Sequence, residues 1–292
     1  MLFRSNTGAA YGRGAEWNAT GVGTLGTTTG YPNNVQISTA GTNLDENNSS
    51  NTARALAGNL TIDASTTLSM GTSTASLTVG GNVVLNGTLT LSSASGGDIN
   101  VGGNWTSTGT FTPNTRAVTF NAASGNQTIT KSGGETFDYV IINKAAGNVV
   151  LANAITVNQT LTFTSGKLSL GANNLTFGSS GTTASASSSN YILAGSTGKV
   201  LKTYSTGSFT YPIGASATQY CPVTITNTGG VSQTYTVGVV TPTTYSPSTD
   251  AVNFDWSIGS TGSSASTLEF SWFTADASGS LASTPANGVA FQ

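Results

Sequence analysis

Nine basic side chains, eleven carboxylates, one cysteine and no histidine are, tyrosines aside, the ionisable groups of this 292-residue chain. Without His, no number of serines makes a Ser-His-Asp arrangement, and Cys221 alone is no start for a zinc site or a disulfide scaffold. Glycan cleavage remains open, because it needs only carboxylates brought together, commonly beside Lys or Arg. Lys131, Glu135 and Asp138 share one loop, and Asp63 and Asp98 lie elsewhere. The adjacent Asp45 and Glu46 resemble part of a calcium loop but lack its further ligand spacing. No Gly run leads into Lys-Ser or Lys-Thr at the head of a helix, so there is no phosphate loop. Nine Lys and Arg against eleven Asp and Glu leave no basic surface for nucleic acid.

Whether these groups meet depends on the elements that carry them. Thr, Ser, Asn and Gly make up 152 of the 292 residues, yet 37 % of the chain is hydrophobic and 8 % aromatic. Apolar residues alternate with small polar ones in short runs, as in Leu60-Thr-Ile62, Thr88-Leu-Thr-Leu91 and Thr160-Leu-Thr-Phe163. That period of two, in strand-forming residues punctuated by Gly and Asn, predicts an all-β fold rather than a disordered tract.

Gly-Asn pairs recur at Gly58-Asn59, Gly81-Asn82, Gly103-Asn104, Gly125-Asn126 and Gly147-Asn148, steps of 23, 22, 22 and 22 residues. Two residues beyond each Gly stand Leu60, Val83, Trp105, Gln127 and Val149; four beyond stand Ile62, Leu85, Ser107, Ile129 and Leu151. Both columns are mainly apolar and two residues apart, so they share one face of a strand. A unit of about 22 residues without a helix suits one coil of a β-solenoid, stacked at about 4.8 Å per coil. Six to eight such coils would rise roughly 30–40 Å. Asn59, Asn82, Asn104, Asn126 and Asn148 are expected to form an asparagine ladder, with Asn suited to a left-handed corner and Gly relieving its crowding.

The repeat also tests the chemistry. Counted from the Gly of each coil, Asp63 lies at offset 5, Asp98 at 17, Glu135 at 10 and Asp138 at 13, so no two carboxylates stack. Between Asp138 and Asp250 there is no acidic residue. Arg116 shares the offset of Asp138, which predicts a surface ion pair, and the Lys131–Asp138 segment reads as a solvated loop. Thr88 and Thr90 fall one coil below Thr110 and Thr112; flat threonine arrays on solenoids can bind ice or crystal surfaces, but the next coil offers Ser132 and Gly134, and a two-coil patch is what half-exposed strands produce anyway. No catalytic residue, metal ligand or cofactor is assigned.

Further along, Leu168, Leu170, Leu175 and Phe177 suggest another coil, and Ser179–Asn190 a loop. Residues 6–57 read as a cap with irregular first coils, 58–203 as the solenoid, and 204–292 as a module of longer strands resembling a β-sandwich. Trp256, Phe270 and Trp272 are candidates for its core, and Trp256 and Trp272 alternatively for contacts to a sugar; Cys221 reads as a small core residue. No apolar stretch is long enough to span a membrane. Met1-Leu-Phe-Arg-Ser5 matches the translation of a sequencing adapter, so residues 1–5 are expected to be an artefact and the chain a piece of a longer protein, with its last module truncated.

The run Ala75-Ser-Leu-Thr-Val-Gly-Gly-Asn-Val-Val-Leu-Asn-Gly-Thr-Leu-Thr-Leu91 resembles the repeats of large, secreted, adhesin-like surface proteins of Bacteroidota. Phe209-Thr-Tyr-Pro-Ile-Gly214, Tyr220-Cys-Pro-Val-Thr-Ile225 and Phe254-Asp-Trp-Ser-Ile258 resemble the module that follows their solenoid. The resemblance implies a right-handed parallel β-helix, export by the type IX pathway, an extracellular or cell-surface location, and glycans or other cell surfaces as partners. The expectation is a non-catalytic stalk. Its rivals are a β-helix polysaccharide lyase or hydrolase and, third, an ice- or crystal-surface-binding solenoid.

Overall fold

The computed structural model describes residues 2–5, 24–28, 31–38, 43–45, 53–241 and 251–278. Glu46, most of the expected cap and the end of the last module lie outside them. The chain divides into two compact units, Met1–Asn153 and Ala154–Gln292. Among the described residues the elements are all strands, apart from a single turn of 3-10 helix at Thr274–Asp276. Parallel β-solenoid coils of about 22 residues make up the first unit and open the second.

In the first unit three parallel ladders run through the stack. The first joins Asn34–Ile37, Leu60–Ile62, Val83–Leu85, Trp105–Ser107, Gln127–Thr130 and residues 149–151. The second joins Asn43–Asp45, Thr67–Ser69, Thr88–Thr90 and Thr110–Thr112. The third joins Arg54–Leu56, Leu77–Val79, Ile99–Val101, Ala117–Phe120 and residues 139–142. Leu2–Ser5, expected to be foreign to the protein, pair in parallel with Asn34–Ile37.

Alternation decides which side chains fill the coil. Strands of the first and third ladders bury both outer residues, such as Leu60 and Ile62 or Leu77 and Val79. Strands of the second bury only the middle one, Leu68, Leu89 or Phe111. Each fully buried aliphatic side chain contributes about 1.5–3 kcal/mol over its exposed state, so the interior columns hold the coils together.

The corners correct one expectation. Asn59, Asn82, Asn104, Asn126 and Asn148 are not left-handed, and neither are Gly58, Gly81 and Gly103. Those glycines are needed for close approach: a Cβ on Gly81 would lie 2.7 Å from the Gly58 carbonyl oxygen, and one on Gly103 2.5 Å from Asn82 Oδ1. Only Gly125 and Gly147 adopt positive φ, +66° and +73°. The five Gly-Asn pairs therefore make two kinds of corner.

A register change separates them. Ile99 pairs with Val118, closing a coil after 19 residues, whereas Trp105 pairs with Ile129, closing it after 24. The connection between the third and first ladders is residues 102–104 in one coil and 121–126 in the next. Two opposite shifts thus hide inside an unbroken 22-residue spacing, and Trp105 sits beside Ile129 rather than Gln127.

The second unit begins with parallel pairing of residues 155–157, Leu175–Phe177 and Val200–Tyr204. Parallel pairing runs past residue 204, reaching Ile213 and Gly214 opposite Ile192 and Leu193. The strands that follow are not a free-standing sandwich. Val200–Tyr204 also pairs antiparallel with Gln233–Val240, which pairs with Asp255–Ser260. This ladder therefore grows from the last parallel coil and covers what would be its bare edge. Gly207–Tyr211, Val223–Asn227 and Ser266–Phe270 form a second antiparallel ladder. Buried Tyr211, Val223 and Ile225 of one ladder and Tyr235, Val237 and Val239 of the other supply the core, and Tyr204 Oη donates to the Ile225 carbonyl at 2.8 Å.

Candidate functional site

The polar side chains most regularly placed in this protein are those at the coil corners. Asn34 Oδ1 accepts from the Asn59 backbone N–H at 2.7 Å, Asn59 Oδ1 from Asn82 N–H at 2.8 Å, and Asn82 Oδ1 from Asn104 N–H at 2.7 Å. The column then shifts with the register: Asn104 Oδ1 takes the Thr128 N–H at 2.8 Å, and Asn126 Oδ1 takes the Asn148 N–H at 3.0 Å. The five asparagines thus lie in two aligned runs, extended by Asn34, which no preceding Gly marked. The side chains of Asn34, Asn59, Asn82, Asn104 and Asn126 each cap a backbone donor of the next coil instead of stacking amide on amide. These corner bonds are exposed to solvent, so each contributes about 0.5–1.5 kcal/mol.

The carboxylates do similar work. Asp98 Oδ1 accepts from Ala117 N–H and Asp138 Oδ2 from Thr115 N–H, both at 2.7 Å, and Asp63 Oδ2 accepts from Gln36 Nε2 at 2.9 Å. Arg116, expected to pair with Asp138, donates to Asn114 O and Thr115 Oγ1. Among the described residues no three Asp, Glu or Cys side chains gather as a cation-binding group.

Glu135 does not lie in a solvated loop, as expected, but points into the coil, only 3 % exposed. Trp105, which fills the interior, must bring its indole N–H with it, and donates to Glu135 Oε2 at 3.1 Å. Lys131 Nζ, 2.8 Å from Glu135 Oε1, balances the charge. Phe111 and Phe137 both pack edge-on to the indole, with centroids 4.9 and 5.6 Å away. Of the Lys131–Glu135–Asp138 cluster, the structure brings the first two together around a tryptophan and turns Asp138 to Thr115.

Sequence reasoning also missed the corner lysines and Gln127. In the longer corner Gln127 Nε2 donates to the Val101 and Gly103 carbonyls while its Oε1 accepts from Ala122 N–H. Lys144 Nζ donates to Ala122 O, and in the second unit Lys202 Nζ donates to Gly178 O and Ser179 O. Burial lowers the pKa of both ammonium groups. A polar residue in an otherwise apolar column, as at Gln127, was the available signal.

The threonine face is larger than its spacing suggests. Thr67, Thr88 and Thr110 stand in one column and Ser69, Thr90 and Thr112 in the next, three coils rather than two. The step from Thr67 to Thr88 is 21 residues, which hid the first coil from a 22-residue count.

In the second unit Trp256 and Trp272 are half-buried. Trp256 Nε1 donates to the Cys221 carbonyl at 3.0 Å and its ring lies 4.8 Å from that of Phe270; the Trp272 indole nitrogen is buried without a hydrogen-bond partner. Cys221 is fully buried, and burial pushes its thiol up to about 12. Between the two antiparallel ladders a cleft of about 350 Å³ is lined by Ile225, Gln233, Tyr235, Ile258, Ser266 and Leu268, among others.

No family model, curated protein or solved structure matches this chain. The class its fold defines is that of parallel β-solenoid proteins. No helix among the described residues is long and apolar enough to cross a membrane.

Proposed function

We propose that this protein is a non-catalytic, secreted surface protein whose solenoid serves as a stiff spacer in a longer, adhesin-like chain. The resemblance to Bacteroidota surface repeats supports that reading, with type IX export and glycans or other cell surfaces as partners. The observation that carries it is the use of the polar side chains. Asn34, Asn59, Asn82, Asn104, Asn126, Asp98 and Asp138 each accept a backbone N–H from a neighbouring coil. One oxygen of each is thereby committed to joining coils, which opposes bending and fraying of the stack.

Two measurements test this. The full chain incubated with plant and microbial polysaccharides should be retained on some of them without releasing new chain ends; scission would favour a lyase or hydrolase. An antibody against it should label intact cells of the source organism, and labelling only after lysis would contradict a surface location. The three-coil array of Thr67, Ser69, Thr88, Thr90, Thr110 and Thr112 favours a second reading, binding to ice. Thermal hysteresis that disappears in Thr88→Lys would establish it.

A further inference from the structure

Among the described residues Asp255–Ser260 and Ser266–Phe270 each end a ladder of the second unit, paired with Gln233–Val240 and Val223–Asn227 respectively. Thr261 N donates to Thr234 O, and Ser271 N to Pro222 O. In antiparallel pairs alternate residues turn their backbone groups to the same side. Residues 255, 257 and 259 therefore bond to their partner strand, and Trp256, Ile258 and Ser260 direct N–H and C=O to the outer edge. The same parity puts Ser266, Leu268 and Phe270 on the edge of the other ladder. The side chains of these same residues face inward, opposite the buried Tyr235, Val237 and Val239 or Val223 and Ile225. They are only half-buried, Ser260 even exposed, and Ile258, Ser260, Ser266 and Leu268 line the cleft.

The polar side chains of that cleft are already occupied. Gln233 Nε2 donates to Ser264 O and Ser266 Oγ, and its Oε1 accepts from Ser260 Oγ and Ser264 N. What the cleft offers is an aliphatic floor beside a row of backbone donors and acceptors. A sugar needs side-chain donors; an added strand needs main-chain partners and a pocket for every second side chain. Edges not meant for pairing are usually guarded by charged side chains (Lys above all), Pro or a bulge; residues 255–272 contain neither Lys, Arg nor Pro, and their only charges are Asp255 and Glu269. Exposed Asp255 and Glu269 flank the edge, and from residue 203 onward the chain has no basic residue at all.

We propose that this edge receives an extended segment of a partner polypeptide, apolar at alternate positions and carrying Lys or Arg between them. The segment pairs with Asp255–Ser260, seats one apolar side chain between Ile258 and Leu268, and places its cations beside Asp255.

The test is a titration of the isotopically labelled full chain with an acetylated, amidated hexapeptide of alternating Val and Lys. The amide signals of Ile258 and Ser260 should shift, and affinity should fall as salt is raised. Gly259→Lys adds a charge where a Cβ meets nothing within 4 Å, so the solenoid signals should persist while affinity falls at least about tenfold. Four results would overturn the proposal: no shift at these amides, equal binding by an alternating Val-Glu peptide, shifts caused by cellohexaose instead, or affinity untouched by Gly259→Lys. Peptide binding only to a chain shortened to Ser278 would likewise overturn it, assigning the edge to the chain's own tail.

Discussion

Trp105 and Trp256 both carry an indole N–H out of water, and the two units treat it differently. Trp105 is 0 % exposed, donates to Glu135 and is enclosed by Phe111 and Phe137. Trp256 donates to a backbone carbonyl and leaves its ring half-buried against Phe254 and Phe270. The strands follow suit. In the first unit an internal coil gives its backbone groups to coils above and below, with Asn oxygens capping the corners. In the second, Asp255–Ser260 and Ser266–Phe270 keep one edge unpaired by their own ladders. A coil inside a stack is paired on both sides, whereas the last strand of an open ladder, like the last coil of a stack, keeps an edge.

The largest break in this contrast is expected from glycine. A Cβ on Gly102 would lie 2.4 Å from the Gly80 carbonyl oxygen, so Gly102→Val should lower the stability of the first unit by roughly 3 kcal/mol. Gly259→Val, where no heavy atom lies within 4 Å, should stay within about 0.5 kcal/mol of the parent. Urea unfolding curves decide; equal losses would mean that the coils do not approach this closely.

Next comes the buried carboxylate. Glu135→Ala leaves the indole N–H of Trp105 without its acceptor and should cost about 2–3 kcal/mol. Glu135→Gln keeps an acceptor oxygen and should recover part of the loss. Unfolding followed by tryptophan fluorescence measures both, and a neutral Glu135→Ala would show that the cluster holds nothing.

How much of this could be read from residues alone differs between the same two regions. The Gly-Asn pairs and their apolar columns are legible because stacked coils put like residues on like residues. The slip between Asn104 and Asn126 is not, because a coil shortened in one ladder and lengthened in another preserves the 22-residue spacing. Glu135 reads as solvated because Ser132, Gly133 and Gly134 precede it; only the need of Trp105 for an acceptor draws it inward. Beyond residue 204 alternation announces strands but not their partners, so continuation of the ladder from Val200–Tyr204 could not be told from a separate sandwich.

A smaller effect is expected at the corners. Asn82→Ala removes the acceptor of the Asn104 N–H and should cost about 1 kcal/mol, with Asn82→Asp, which keeps the oxygen, losing less. Denaturation midpoints of the three proteins would show this ordering, and Asn82→Asp as damaging as Asn82→Ala would argue against the bond.

Alkaline pH should weaken the second unit. Burial pushes the Cys221 thiol up from 9.0 to about 12 and the Tyr191 hydroxyl up from 10.0 to about 12. The folded state holds both protons more tightly than the unfolded chain. Their contribution is therefore complete below the unfolded values and is lost as pH rises through this range to about 12. Urea midpoints measured across that window should fall, and Cys221→Ala should flatten the slope; a rising midpoint would contradict the assignment.

Native-state hydrogen exchange, resolved by residue, reaches the central contrast most directly. The N–H groups of Asn82, Asn104 and Asn148, bonded to side-chain oxygens of the adjoining coil, should exchange as slowly as those of Leu60 and Val83 within the ladder. The N–H groups of Ile258 and Leu268 should exchange orders of magnitude faster. Rapid exchange at the three asparagines, or protection at the two edge residues equal to theirs, would contradict the account.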